Sequence, residues 1–301
     1  MLLSAKLRTT ADMESVKDSK SFSILVITAI YLMAALIGLG VYIVLPFYFW
    51  LNLLIADAVA TVFVFLFSII FKNASVYDPY WSVQPIVIVM YFACYYRMTP
   101  ATALLLISVF YWGIRLTGNW AYTFGGLNCQ DWRYTKFENE KGKLYPFINF
   151  TGIHMMPTLI VYLCTLPAVF VIRNQVEANT GSYIGAAVCI LAATLQLTAD
   201  IQMQRYRKSG EHGLIRTGLW KYARHPNYLG EILMWWGVSI QAVSVMPECW
   251  WLIAGAAANT VMFFTVSIPL ADKRQSQKPG YDEYKASTRS LLPLPKKQQV
   301  I

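Results

Sequence analysis

Charge is what this sequence has least of. Of 301 residues only 14% are Asp, Glu, Lys or Arg, where a soluble domain carries about a quarter. That shortage, with a mean hydropathy of +0.44, excludes an ordinary soluble fold. Cysteine is scarce as well. The five, at 94, 129, 164, 189 and 249, form no CxxC pair and fall mostly inside apolar runs. An odd, scattered set excludes a disulfide framework and a cysteine zinc site, and leaves small packing residues. His154, His212 and His225 are too dispersed to form a zinc cluster without distant carboxylates, so no metal is expected. There is no GxGxxG after a strand pattern, no GxxxxGK[ST] and no HExxH, which excludes soluble nucleotide-binding folds. Residues 1–21 lack a short apolar core before a small-residue cleavage site, so no cleaved signal peptide is expected.

What the sequence does have is long hydrophobic runs, 56% of the chain being hydrophobic. Crossing a bilayer as a helix takes about 20 apolar residues. Runs of that kind lie at 22–45, 47–71, 80–96, 100–124, 147–172, 182–204, 225–246 and 250–271, the third being short and holding Gln84 and Pro85. The expected fold is all-α, a polytopic transmembrane helical bundle of 7–8 spans, since helices satisfy their own backbone groups in lipid. No repeat or linker divides it. The expectation is a cytoplasmic tail at 1–21, one membrane domain at 22–295 and a flexible tail at 296–301.

The formal charge of +9 could point to nucleic acid, but its distribution argues against that. With eight spans, segments 1–21, 72–79, 125–146, 205–224 and 272–301 share one face and hold 22 of the 25 Lys and Arg. Arg97 and Arg173 lie opposite and Arg115 lies within a span. Positive charge concentrates on the cytoplasmic side, so both termini are expected there, with membrane lipids as neighbours and no nucleic acid as partner. Asn73-Ala-Ser75 and Asn149-Phe-Thr151 match a glycosylation pattern on that same face and read as chance.

Two polar stretches interrupt the hydrophobic pattern. In "LQLTADIQMQRYRKSGEHG" the residues Gln196, Asp200, Gln204 and Arg207 are spaced 4, 4 and 3 and share one helical face. An acid such as Asp200 inside a span is costly unless it faces protein or water. The face is either an interhelical network or a ligand stripe. In "KYARHPNYLGE" Pro226 suits the first turn of a helix, whose start presents free N–H groups and a positive dipole end. Arg216, Lys221 and Arg224 lie upstream, and arginine matches phosphate oxygens with two bonds. Asn227 and Glu231, four apart, offer donors and acceptors to a carboxamide or ribose. The stretch reads as the mouth of a site for an anionic, partly polar cofactor entering from the cytoplasm. The plainer alternative, a basic interfacial anchor, leaves Glu231 unexplained.

These residues resemble a family. "GLWKYARHPNYLGEILMWWG" is similar to the C-terminal signature of the steroid 5α-reductase superfamily, in its steroid-reductase-like branch. "NASVYDPYW" at 73–81, "WGIRLTGNWA" at 112–121, "QDWRY" at 130–134 and "SIPLADKR" with "YDEYKASTRSLLP" at 267–293 fit the same branch, over roughly 72–295. The resemblance implies NADPH bound from the cytoplasmic side and hydride transfer to the β-carbon of an α,β-unsaturated ketone in a steroid or other isoprenoid lipid. It also implies an endoplasmic-reticulum location in a eukaryote. By the resemblance Asn227 and Glu231 match the family's N-x-x-x-E element. Asp200 and Arg207 match its preceding helix, Gln196 takes a position that is usually Asn, and Arg216 matches an upstream phosphate-binding Arg. Tyr222, Arg224, His225 and Tyr228 belong to the same cofactor stretch. Asp272 and Arg274 fall where characterised members have a His-rich cofactor contact.

The departures concern substrate. Where steroid reductases hold the carbonyl with a Tyr and a Glu, this sequence has Trp112, next to Tyr111, and no matching Glu. Near the expected place stand Asp78, Gln84 and Pro85. Hydride addition needs an ordered nicotinamide and a donor to the carbonyl oxygen, for which Tyr111 and protonated Asp78 are candidates beside Glu231. Asp78, Asp131 and Arg133 can equally pair structurally among loops. Two other functions stay open. Membrane methyltransferases of the isoprenylcysteine or phospholipid type share an RHPxYxG-like stretch and bind S-adenosylmethionine there. A lipid-binding protein without catalysis is the third reading. Asp200 to Arg207, Glu231 and the QDWRY loop favour the reductase.

Overall fold

The computed structural model describes residues 19–211 and 213–296. The expected tails at 1–21 and 296–301 lie almost wholly outside the described residues, as does His212. Among the described residues the chain is helical throughout, with no strand and one isolated backbone bridge, Ala223 to Arg289. A polytopic helical bundle, as expected, is the fold class.

The helices are α1 (Lys20–Val44), α2 (Phe49–Phe71), α3 (Tyr80–Tyr95), α4 (Pro100–Thr123) and α5 (Trp132–Lys141). A π-helical stretch, Asn149–Met155, leads into α6 (Met156–Asn174), followed by α7 (Thr180–Lys208) and α8 (Pro226–Val245). A 3-10 segment, Pro247–Ile253, opens α9 (Ala254–Met262), and α10 (Ile268–Gln275) and α11 (Tyr281–Ser287) complete the series. Caps and prolines set several starts. Ser19 accepts from Phe22 N before α1, Asn179 and Ser182 form a reciprocal capping box before α7, and Pro226 is the first residue of α8.

Among the described residues six segments are long and apolar enough to cross a membrane: α1, α2, α4, the run Trp132–Asn174, α7 and the run Pro247–Gln275. The other two expected spans are present as α3 and α8. At 16 residues α3 falls short of a full span of about 20. The 20 residues of α8 include Asn227, Glu231 and Gln241, which dilute its apolar character.

By internal contacts the chain divides into two compact units, Met1–Val87 with Leu116–Tyr162 and Ile88–Arg115 with Leu163–Ile301. In the first unit Ile27, Ile30 and Ala34 of α1 join a core with Ala60 and Val64 of α2 and with Tyr77 and Tyr80. The opposite face of α1 is left to lipid, Leu32 being 63% and Leu36 69% exposed. In the second unit α7 and α8 run antiparallel in close contact. A Cβ on Gly237 would stand 2.8 Å from the Gly185 carbonyl oxygen, and one on Gly230 would stand 2.6 Å from that of Ala192. Small residues let membrane helices approach backbone to backbone where lipid supplies no hydrophobic drive. That approach sets the register of the polar residues next in line.

Candidate functional site

With Gly230 against Ala192, Gln196 of α7 meets Glu231 of α8. Gln196 Nε2 donates to Glu231 Oε2 at 2.9 Å. Trp112 Nε1 of α4 donates to the same oxygen at 2.8 Å, and Trp235 Nε1, one turn along α8, donates to Oε1 at 3.0 Å. Arg115, three residues after Trp112, donates to Asp200 Oδ2 at 2.9 Å and to Gln196 Oε1. The Asn227 side chain lies beside the Asp200 carboxylate. The structure thus brings together Gln196, Asp200, Asn227 and Glu231. It also gives Glu231 an orientation the sequence did not suggest. At 5% exposure and with three N–H donors, its carboxylate is turned into the protein. A buried carboxylate so surrounded holds its donors in place, and losing a partner would leave a buried polar group unpaired. One donor in this network is unspent: Arg115 Nε is buried without a hydrogen-bond partner.

Further along α7 a cavity of about 300 Å³ opens, lined among others by Arg207, Arg224, Arg274 and Lys278. Two carboxylates, Glu211 and Asp272, also line it. Asp272 is already occupied. Its two oxygens accept from Arg224 Nε and Nη2 at 3.3 Å each, and Oδ1 lies 2.8 Å from His225 Nε2. Arg207 and Arg274 are exposed residues. Lys278 Nζ donates to the Gly213 carbonyl at 2.7 Å. Burial, then Arg274 and Arg207, lower the pKa of the Lys278 amine. Cations that disfavour one another's charge in this way favour a shared anion.

The mouth is held by the end of the chain. Arg224 N donates to Arg289 O and His225 N to Ser290 O, both at 2.9 Å, and Arg289 N donates to Tyr222 O at 3.0 Å. Tyr284 Oη, from the buried side of α11, donates to Trp220 O at 2.6 Å. The segment before α8 is therefore fixed from outside its own helix. His225 stacks on Tyr228, with centroids 5.1 Å apart at 7°.

The remaining expected residues fall as follows. Arg224 and His225 line the cavity, but their polar atoms are engaged with Asp272. Arg216 is not part of the lining; its guanidinium donates to Gly280 O at 2.8 Å. Tyr222 and Tyr228 do not line the cavity either. Tyr111 lies on α4 with its hydroxyl 3.1 Å from Thr194 Oγ1. Asp78 belongs to the other unit, where it accepts from Tyr134 Oη at 2.5 Å. Burial pushes its carboxyl up to about 6.

Sequence reasoning passed over the indoles of Trp112 and Trp235 as partners of Glu231, although Trp235 stands at the i+4 position that signals a shared face. It also passed over Asp57. This acid lies within the apolar run of α2, taking hydrogen bonds from Tyr80 Oη at 2.7 Å and Gln84 Nε2 at 2.8 Å. A lone carboxylate in a membrane span was the available signal.

The profile of a family described as protein of unknown function, DUF1295, matches residues 64–288. The chain belongs to the DUF1295 family. That family sits in the membrane superfamily of steroid 5α-reductase-like and isoprenylcysteine methyltransferase-like proteins. This DUF1295 protein is 28% identical over 193 residues to an uncharacterised protein of Schizosaccharomyces pombe, covering 54% of this chain and 56% of that one. It is 32% identical over 80 residues to a protein-S-isoprenylcysteine O-methyltransferase of Tribolium castaneum, which is 24% of this chain and 28% of the relative. It is 30% identical over 69 residues to the protein of the same name from Saccharomyces cerevisiae, 20% of this chain and 28% of the relative. The matches span about half the length of the first relative and about a quarter of the two methyltransferases. No solved structure matches.

Proposed function

We propose that the chain is an integral-membrane, NADPH-dependent reductase of a carbon–carbon double bond conjugated to a carbonyl in a steroid or other isoprenoid lipid. The observation that carries this reading is the cavity where Arg207, Arg274 and Lys278 converge. NADPH brings a diphosphate and a 2′-phosphate, whereas S-adenosylmethionine brings a sulfonium cation and no phosphate. A cavity of about 300 Å³ is at the low end of small-molecule sites and has room for one end of a dinucleotide. The residues present fit the group there.

In this reading Arg207, Arg274 and Lys278 hold phosphate oxygens. Asp200 and Asn227 present polar atoms to the ribose and carboxamide, and Glu231 keeps Gln196, Trp112 and Trp235 in register. When bound, the dinucleotide supplies the hydride. Tyr111 offers its hydroxyl to the carbonyl oxygen of the lipid. The reading has no need of Asp78.

The similarity to isoprenylcysteine methyltransferases over 80 and 69 residues favours a second reading, transfer of a methyl group from S-adenosylmethionine. One experiment separates the two. Purified full-length protein is titrated with NADPH and with S-adenosylmethionine while its melting is followed. The reductase reading expects saturable stabilisation by NADPH alone, followed by NADPH oxidation with an enone lipid. Stabilisation by S-adenosylmethionine alone would overturn it.

A further inference from the structure

The unit formed by Met1–Val87 and Leu116–Tyr162 has a cavity of its own, of about 330 Å³. It is built at helix ends: the connection from α2 to α3, the first turn of α3, the last turns of α4 and the connection into α5. Chain leaves the apolar layer at such places, at the level of lipid headgroups. The walls are aromatic, from Trp81, Trp120 and Phe124. Trp120 is stacked on Phe124, with centroids 4.8 Å apart at 26°.

The charged groups of the lining, among the described residues, are Asp78, Asp131 and Arg133. Arg133 Nε bonds Asp131 Oδ1 at 2.8 Å, and the same oxygen caps α5 by accepting from Arg133 N at 2.9 Å. That pair is neutral as a whole. Asp78 accepts from the neutral Tyr134 hydroxyl and feels the Arg133 charge without forming an ion pair of its own. The lining therefore carries one net negative charge beside two indoles. Among the described residues no group of three or more His, Cys, Asp or Glu stands ready for a metal ion. A single carboxylate among indole faces suits a large, weakly hydrated cation, which the negative face of the ring attracts.

We propose that this cavity binds an organic cation of the quaternary-ammonium class, the trimethylammonium group of choline being the type, seated against the indoles of Trp81 and Trp120 with Asp78 as counter-ion. A further feature bears on the source of that cation. Trp120 Nε1 is buried with no hydrogen-bond partner, and an unpaired buried donor is costly. Reaching it takes a small turn of the indole toward the cavity, after which the phosphate of a phosphocholine head supplies an acceptor that free choline lacks. The site is independent of the reductase reading and stands if that reading fails.

The test uses full-length protein in a maltoside detergent, which carries no ammonium group. Choline is titrated by calorimetry against 3,3-dimethylbutanol, its neutral isostere, and against phosphocholine. The expected result is saturable choline binding at least tenfold tighter than that of the isostere, lost in Asp78→Asn and in Trp81→Leu and kept in Glu140→Gln. The isostere comparison needs no variant, so a substitution that fails to fold does not shield the proposal. Equal affinity for choline and isostere, or no binding of either, overturns it, as does full choline affinity in a folded Asp78→Asn. Native mass spectrometry with equal phosphatidylcholine and phosphatidylglycerol then names the source. Retained phosphatidylcholine that choline displaces identifies a lipid headgroup, and choline binding without lipid retention identifies a soluble cation.

Discussion

The two units carry cavities of similar size, about 300 and 330 Å³, and opposite sign. In the second unit Arg207, Arg274 and Lys278 outnumber the carboxylates, and Asp272 is consumed by Arg224 and His225. In the first unit Arg133, the one lining cation among the described residues, is bonded to Asp131, which leaves Asp78 without an ion pair of its own. The formal charge of +9 predicts neither. What a cavity can bind depends on which of its charges are already paired, and pairing is decided by neighbours. The same rule separates Glu231 from Arg207. Both were expected at the cofactor, yet the carboxylate faces three N–H donors of its own protein while Arg207 is an exposed residue.

The largest effect is expected from Arg115→Ala. Removing the cation would strand the Asp200 carboxylate and leave Gln196 Oε1 short of a donor. Breaking a buried pair from one side costs about 3–5 kcal/mol, to be read from the melting and denaturant profiles of the detergent-solubilised protein. A wild-type profile would mean that the network does not hold α4 to α7.

Arg207→Ala comes next and tests the contrast between the cavities directly. NADPH affinity should fall by about 1.5–3 kcal/mol, the range for hydrogen bonds to charged groups, while choline affinity stays as in the wild type. Equal loss of both ligands would mean that the two sites are not chemically separate. Glu231→Gln should cost about 1–3 kcal/mol of stability, because an amide N–H then meets indole and amide donors in a buried place. Turnover per folded molecule should survive better than stability does. A stable variant with about 100-fold lower turnover would instead assign Glu231 to direct contact with the cofactor.

The smallest effect is in pH. The groups facing Asp78 are Arg133, Asp131, Tyr134, the neighbouring Tyr77, and Tyr31 of α1. Burial raises the Asp78 carboxyl from 3.8 to about 6. The folded state therefore holds this proton more tightly than the unfolded chain, and its contribution to stability falls as pH rises from about 4 to about 6. Choline needs the ionised form, so its binding should be full above about pH 7 and about tenfold weaker at pH 5. A flat profile across that window would remove Asp78 as the counter-ion. NADPH binding should weaken instead as salt rises, through screening of the exposed Arg207 and Arg274.

Much of the fold was legible because apolar runs of span length and their caps are local features. The start of α8 follows from Pro226, and the 3.6-residue period aligned Gln196 with Asp200 and Asn227 with Glu231. Helix periodicity shows that two residues share a face. It does not show what the face meets. Nothing local pairs Trp112 with Glu231, 119 residues away, or Asp272 with Arg224 and His225. The continuous helical run Trp132–Asn174 was likewise hidden, because the polar residues of α5 read as loop while the structure makes them helix.

The sequence by itself determined that this is a multi-spanning helical membrane protein with a polar, basic stretch ahead of its seventh apolar run, because hydrophobic length and charge density are properties of the chain. Only the tertiary structure decided which charges are spent. The close approach of α7 and α8 at Gly185, Gly230 and Gly237 sets Gln196 against Glu231. The return of the chain end over Tyr222–His225 and the pairing of Asp131 with Arg133 leave Arg207 and Asp78 facing cavities. In a medium of low dielectric an ion's partner governs its energy, and partners far apart in sequence meet only when the helices pack.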